Sequence, residues 1–391
     1  MTSTVFEKRF GFRRSDINLG NWRLNPYSRW SFQNVSELVP SAVISNTGGL
    51  SEEPMADASG LLSEKLMIDG KPETVSAFLE RSSTDALVVM KGGKFVADYA
   101  AGTVDPASPH LIFSISKSLT AILAGIVEAD GLLDPEAPVT RYVPEAEGSA
   151  YGDATVRNLL DMRVSLDFAE TYLDPESAYA RYRRAMLWNP GGGEEGLLAM
   201  LCSIPKGPLP HGGPLRYRSP NSDMLGIVVE RAAGIRLSEL LSERLWKPLG
   251  AKSNAMITVD REGFGRAAGG VSVTGRDLAR VGEMMRQAGF AGGKSIVPEP
   301  WVRDTISAGD KAAWTAGDFA KLAPNGSYRN QWYQSGMESH AYCGIGIHGQ
   351  WLYIDPPTET VIVKLSSQAE PVDDALDLGC LQFFAQIIRL F

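Results

Sequence analysis

The chain has 391 residues, 44% apolar and 21% charged, with a formal net charge of -8. That is ample material for a large core, and the acidic balance excludes the concentrated Lys and Arg that a nucleic-acid partner requires. No stretch reaches the ~20 apolar residues needed to cross a bilayer. The N-terminal "MTSTVFEKRFGFRRSD" is charged where a secretory signal needs an apolar core, and the three cysteines (Cys202, Cys343, Cys380) are odd in number and show no metal-ligand spacing. These features predict a cytoplasmic protein with reduced thiols and no membrane or nucleic-acid partner.

Residues 1–60 are rich in Ser, Asn, Gly and Pro with scattered aromatics (Trp22, Tyr27, Trp30, Phe32), the pattern of an irregular leader laid over a domain. "DALVVMKGGKFVADYAAG" (85–102) predicts two strands turning at Gly92-Gly93. Helix-period apolar spacing follows at 119–127, 155–162, 195–203, 222–233 and 237–246, separated by Gly- and Pro-rich breaks, and again at 275–289. Strand pattern returns in "GIGIHGQWLYIDPPTETVIVKLSS" (344–367), with a turn at Pro356-Pro357-Thr358. The expected architecture is α/β of the α+β type. An antiparallel sheet drawn from both chain ends (1–130 and 260–391) is flanked by helices, with a mostly helical part at 131–259 between them.

The chemistry-bearing stretch is "FSISKSLTAILAG" (113–125). Ile115, Leu119, Ile122, Leu123 and Ile126 recur at helical spacing, so the segment after Ser114 predicts a helix packed in the core. Residues three apart share a helical face, which sets Lys117 beside Ser114. An exposed lysine titrates near ~10.4, and burial can lower that value by disfavouring the ammonium. A neutral amine can then take the serine proton as general base, and the unpaired N–H groups of the helix start can meet an oxyanion.

Ser-x-x-Lys alone is common. Ser203-Ile204-Pro205-Lys206 is a second copy, with a proline before its lysine and no helix after it, and predicts a surface loop. Two other stretches support the first copy. "LRYRSPNSDMLGIVVERAAG" (215–234) puts Tyr217 just ahead of a helix with Ser219 as expected N-cap and Pro220 as first helical residue, where a phenol can pass protons. "CGIGIHG" (343–349) predicts a strand whose glycines admit a close backbone or ligand approach.

In this order, "SISK", "YRS", "GGVSVTGRDLARVG" (269–282) and "GIGIHG" resemble the serine-reactive, penicillin-recognising β-lactamase-like superfamily over residues 85–370. Within it, "LLDMRVSLDFAETYLDPES" (159–177) and "NGSYRNQWY" (325–333) look like the 6-aminohexanoate-dimer hydrolases, the nylon-oligomer amidases. The resemblance implies that Ser114 is the acylated nucleophile, Lys117 the base and Tyr217 the proton relay. It implies an oxyanion hole from the backbone N–H groups of Ser114 and Ile347, and substrate contacts from Tyr172, Trp188, Ser219, Gly346 and His348. It implies neither metal nor cofactor, and a small ester or amide as substrate.

Two departures refine this expectation. Gly344-Ile345-Gly346 stands where penicillin-directed members carry Lys-Thr-Gly or His-Thr-Gly, so the cation for a penicillin carboxylate is missing. Arg183 stands eleven residues after Tyr172, where efficient nylon-oligomer hydrolases carry an acid. A cation there repels an amino-terminal substrate. The resulting expectation is a carboxylesterase for short acyl esters with weak linear-amide hydrolysis; the alternatives are 6-aminohexanoate-dimer hydrolysis as main activity, or a non-catalytic sensor on this fold. "AGFAGGKS" (288–295) misses a phosphate-binding loop by one glycine and follows a helix rather than a strand, which predicts a surface turn. His110, His211, His340 and His348 show no metal spacing, and no Gly-x-Ser-x-Gly elbow occurs.

Overall fold

Gly92 and Gly93 both hold positive φ (56° and 78°), the mirror-type turn whose twist suits an antiparallel hairpin. They join β1 (Thr84–Lys91) to β2 (Lys94–Ala100), as the sequence predicts. Five strands follow late in the chain: β3 (Ser327–Arg329), β4 (Trp332–Gln334), β5 (Tyr342–Gly346), β6 (Gln350–Asp355) and β7 (Thr360–Ser366). All seven form one antiparallel sheet in the order β3-β4-β5-β6-β7-β1-β2, its late and early strands joined by β7 on β1 with Val363 opposite Val88. The structure, a computed structural model, describes residues 4–49, 51–172, 174–192, 194–337 and 339–391.

The glycine-bearing segment 343–349 differs from the continuous strand expected. β5 stops at Gly346, and Ile347-His348-Gly349 form a tight turn, with φ of 61° at His348 and 83° at Gly349, that leads into β6. Alternating glycines conceal the turn because they suit strand approach and left-handed backbone alike.

Successive strand residues point to opposite faces, and both faces are covered. Val88, Leu352, Ile354 and Val363 pack into one cluster with the helices α1 (Ile115–Ala129), α2 (Ala178–Ala185), α3 (Ser219–Ala233) and α4 (Gly275–Arg286). Leu87, Val89, Trp351, Tyr353 and Ile362 pack against Phe383, Phe384 and Ile387 of α5 (Asp374–Ile387). α1 is buried from Ile115 through Val127, so it is a central helix rather than a surface one. α2 carries no clear apolar period and was not expected; Ser177 starts it by accepting from the Ala180 N–H at 3.1 Å.

The leader is less irregular than its composition suggests. Trp22, Trp30 and Phe32 are buried, and Ser41–Ile44 forms a strand against Ala255–Thr258. That pair belongs to a second sheet with Val271–Val273 and His110–Leu111. The last of these strands leads directly to Ser114 and seats the start of α1 beside the 266–270 loop. The result is an α+β protein of antiparallel sheets flanked by helices.

Candidate active site

Ser114 is the one position between Leu111 and Val127 with an accessible side chain; its neighbours on both sides are buried. The preceding Phe113 has φ of 44°, an uncommon left-handed backbone for a bulky residue. Packing imposes it: the Phe113 ring lies 4.9 Å from Phe32, 5.2 Å from His348 and 6.1 Å from Trp188. Such strain is held only where the surroundings over-determine it, and here it turns the serine hydroxyl outward at the helix start.

One turn on, the Lys117 ammonium is buried and donates to the Ser114 Oγ at 2.9 Å, the Ser219 Oγ at 3.1 Å and the Ala268 carbonyl at 2.6 Å. Three acceptors meet three protons. Burial lowers the Lys117 pKa to about 8, aided by Arg266 and opposed by Glu170 and Asp223. After losing one proton, the amine can keep its bonds to Ser219 and Ala268 and turn its lone pair to the Ser114 hydroxyl. Asp223 fixes the loop behind it: one oxygen accepts from the Ala268 N–H at 2.7 Å, the other from the Tyr182 hydroxyl, and the Arg266 guanidinium stands 3.9 Å away.

Tyr217 arrives from the segment before α3. Its hydroxyl lies beside those of Ser114 and Tyr333, its ring centre lies 5.0 Å from the Lys117 Nζ, and burial keeps the phenol protonated well above its ordinary range. Ser219 is displaced by one position from the expectation. It is the first helical residue, Arg218 is the N-cap, and Pro220 follows at the second position. The serine hydroxyl is taken by Lys117 instead of capping. Its orphan N–H is met by the carboxylate of Glu170, whose second oxygen accepts from the Tyr172 hydroxyl at 2.9 Å. Glu170 was missed in sequence; its only signal was an acid two residues ahead of Tyr172.

The end of β5 closes the site from the other side. A Cβ at Gly346 would stand 2.5 Å from the Ile112 carbonyl and 3.1 Å from the Ser114 N, so only glycine permits this approach. The surrounding turn spends the N–H groups of Ile115, Ser116 and His348 on Ile112, Phe113 and Pro371 carbonyls; those of Ser114 and Ile347 have no part in these bonds.

Beside Ile347 lies a cavity of about 410 Å³, lined in part by Tyr172, Trp188, Ile347 and His348. The Trp188 indole is anchored by donating to Thr258 Oγ1 at 3.1 Å. His348 holds its Nδ1 2.7 Å from the Gln368 carbonyl, and burial lowers its pKa to about 4, so the ring is neutral. None of Ser114, Lys117, Tyr217, Ser219 and Gly346 lines this cavity, which adjoins the Ser114 site at Ile347; Ser219 backs Lys117 and Gly346 backs Ser114.

The decoys separate cleanly. Ser203 Oγ donates to the Met200 carbonyl while Lys206 pairs with Asp153 at the surface. "AGFAGGKS" spans a two-stranded turn, Phe290–Ala291 with Lys294–Ser295. The three cysteines are free thiols. Among the described residues no group of three or more His, Cys, Asp or Glu is arranged to hold a metal, and no helix is long and apolar enough to cross a membrane.

The beta-lactamase family model matches residues 73–382. The chain belongs to the beta-lactamase family. As a member, it is a serine hydrolase of the acyl-enzyme type. It is 39% identical over 367 residues to the 6-aminohexanoate-dimer hydrolase of Paenarthrobacter ureafaciens, covering 92% of this chain and 91% of that one. A solved Bacillus anthracis structure carrying the 6-aminohexanoate-dimer hydrolase name superposes with a TM-score of 0.86 at 26% identity, covering 97% of this chain and 98% of the other. EstCE1, described as a hydrolase with promiscuous acyltransferase activity, shares the fold at a TM-score of 0.59 and 16% identity, over 79% of this chain and 98% of its own. This beta-lactamase-family chain thus carries the superfamily sheet and helices.

Proposed function

We propose that the protein hydrolyses short linear amides through an acyl-enzyme on Ser114. The likeness to 6-aminohexanoate-dimer hydrolases along nearly the whole chain supports amides ahead of esters, the reverse of the sequence expectation. The observation that carries the proposal is the 2.9 Å approach of the Lys117 Nζ to the Ser114 Oγ, with Tyr217 against the same oxygen. Ser114 attacks the carbonyl carbon while its proton passes to the neutral Lys117. The N–H groups of Ser114 and Ile347 take the oxyanion. An amine leaves poorly unless it is protonated, and Tyr217, protonated and touching Ser114, supplies that proton and recovers one from Lys117. Water then attacks the acyl carbon by the reverse relay and frees Ser114.

The test is kcat/KM for the 6-aminohexanoate dimer, its N-acylated analogues and p-nitrophenyl butyrate, in wild type and Ser114→Ala. Serine-dependent turnover of at least one linear amide is expected. Ester turnover with every amide inert would put the esterase reading, motivated by the Arg183 cation in the cleft, in its place. Failure of a fluorophosphonate probe to label Ser114 would favour a non-catalytic binder.

A further inference from the structure

The cavity beside Ile347 is lined by two arginines that come from elements remote in sequence, Arg23 of the leader and Arg183 of α2. Neither has a carboxylate partner among the described residues. Arg23 donates to the Trp188 carbonyl at 3.1 Å and to Asn189 Oδ1 at 2.6 Å; Arg183 donates to the Tyr172 carbonyl at 3.0 Å. The Arg183 Nε is buried without a hydrogen-bond partner. Arg23 stacks over Trp22 at 4.9 Å and Arg183 over Tyr179 at 5.0 Å, so aromatic faces rather than acids hold them.

Behind them Arg266, 3% exposed, packs 4.2 Å from the Trp188 ring, its Nε and Nη1 also lacking hydrogen-bond partners and its nearest acid 3.9 Å away. Arg23 also lies over the Trp188 ring, at 5.8 Å, so Arg23 and Arg266 share that ring. Burial and the two neighbouring arginines pull the Arg23 pKa down to about 9. The cavity's only acid among its described lining residues is Glu370, which is exposed and forms no ion pair with either arginine. Partly buried cations without counter-ions are unfavourable unless a ligand completes them, and the guanidinium fork suits a carboxylate. The same cavity is also lined by Leu24, Trp188, Pro190 and Ile347, apolar and aromatic walls that suit a methylene chain.

We infer that Arg23 and Arg183 form a carboxylate subsite, so that the favoured substrate bears an anionic carboxylate at the end remote from its scissile carbonyl, joined to it by a short apolar chain. This deepens the amide-hydrolase proposal and rests on it. It accounts for a cation where an ammonium-bearing substrate would be repelled, without displacing amides as the substrate class.

The experiment compares p-nitrophenyl monoesters of linear dicarboxylic acids of increasing length with their methyl-capped neutral analogues and with the p-nitrophenyl ester of 6-aminohexanoate. The same pairs are tested as anilides. The carboxylate member of at least one pair is expected to exceed its neutral analogue in kcat/KM by about tenfold or more, and the ammonium member to fall below both. Arg183→Gln and Arg23→Gln should each lower the carboxylate-to-neutral ratio, with Arg183→Lys retaining part of it. Equal turnover of charged and neutral members at every length, or preference for the ammonium ester, would overturn the subsite. Fluorophosphonate labelling of Ser114 in the same preparations separates the readings. Labelling without charge discrimination removes the subsite alone, whereas no labelling removes the hydrolase mechanism beneath it.

Discussion

The protein holds two buried lysines against serine hydroxyls. Lys117 stands 2.9 Å from the Ser114 Oγ and Lys364 stands 2.6 Å from the Ser366 Oγ; burial lowers the pKa of both. Both lie within hydrogen-bond distance of a serine hydroxyl, and burial shifts both in the same direction. They differ in what surrounds them. Lys364 and Ser366 alternate along β7 on the face covered by α5, near Cys380 and Asp377, and both are fully buried. Ser114 is partly exposed beside the end of β5, where the Ile347 N–H follows Gly346. A lowered amine pKa therefore does not make a site. Under the proposed mechanism the difference is made by the accessible Ser114 hydroxyl and the neighbouring backbone N–H groups.

The comparison breaks most sharply by exchanging the two amines for apolar chains. Lys117→Ala should lower kcat by roughly 10³-fold or more on amides and esters alike. Lys364→Met should leave turnover within about threefold and fluorophosphonate labelling intact, since replacing a buried charge by apolar volume is often neutral to stability. Equal losses from both would mean that Lys117 acts only as a structural cation.

Tyr217→Phe sharpens the comparison, because nothing at Lys364 corresponds to this phenol. Losing its proton should cost amide turnover by about 10²-fold or more. p-Nitrophenyl esters, whose leaving group needs no proton, should lose distinctly less. Equal losses on both would remove Tyr217 as the donor to the leaving amine.

Stability should carry the opposite sign. The folded protein holds the Lys117 pKa at about 8 against an ordinary 10.5, so the unfolded chain binds the extra proton between those values. Wild-type stability therefore falls as pH drops from 10.5 to 8 and has lost its full share below 8. Lys117→Met lacks this dependence and should gain on wild type by about 3 kcal/mol across that window, read as a pH-dependent difference in denaturant midpoint. Parallel curves would contradict the burial cost. Smallest of all, Ser219→Ala removes one acceptor from the ammonium and should change kcat/KM by only about threefold to tenfold, with the pH midpoint moving down.

How much of this was legible in sequence follows from the range of each interaction. The β1–β2 hairpin and α1 were readable because Gly92-Gly93 and the apolar period act locally. Ser114 and Lys117 were paired by helical spacing, Tyr217 was singled out by its place ahead of a helix, and Ile347 came from the resemblance. Glu170, Asp223 and the Ala268 carbonyl were not legible, because each acts through a contact between remote segments. The turn at 347–349 was hidden by glycines that suit a strand equally well. Arg23 lay in a stretch whose composition suggested only a leader, yet it reaches the cleft through Trp188 and Asn189. Arg183 was singled out by its spacing from Tyr172; that it lines a cavity together with Arg23, with its Nε unpaired, needed the fold.

Catalysis as proposed requires an uncharged amine at Lys117, and the rate at which a fluorophosphonate labels Ser114 across pH 6 to 10 tests for it most directly. Labelling in wild type and in Lys364→Met should rise about tenfold per pH unit up to about 8 and then level off, and should be all but lost in Lys117→Ala. A flat profile, or a variant without Lys117 that labels as fast as wild type, would contradict it.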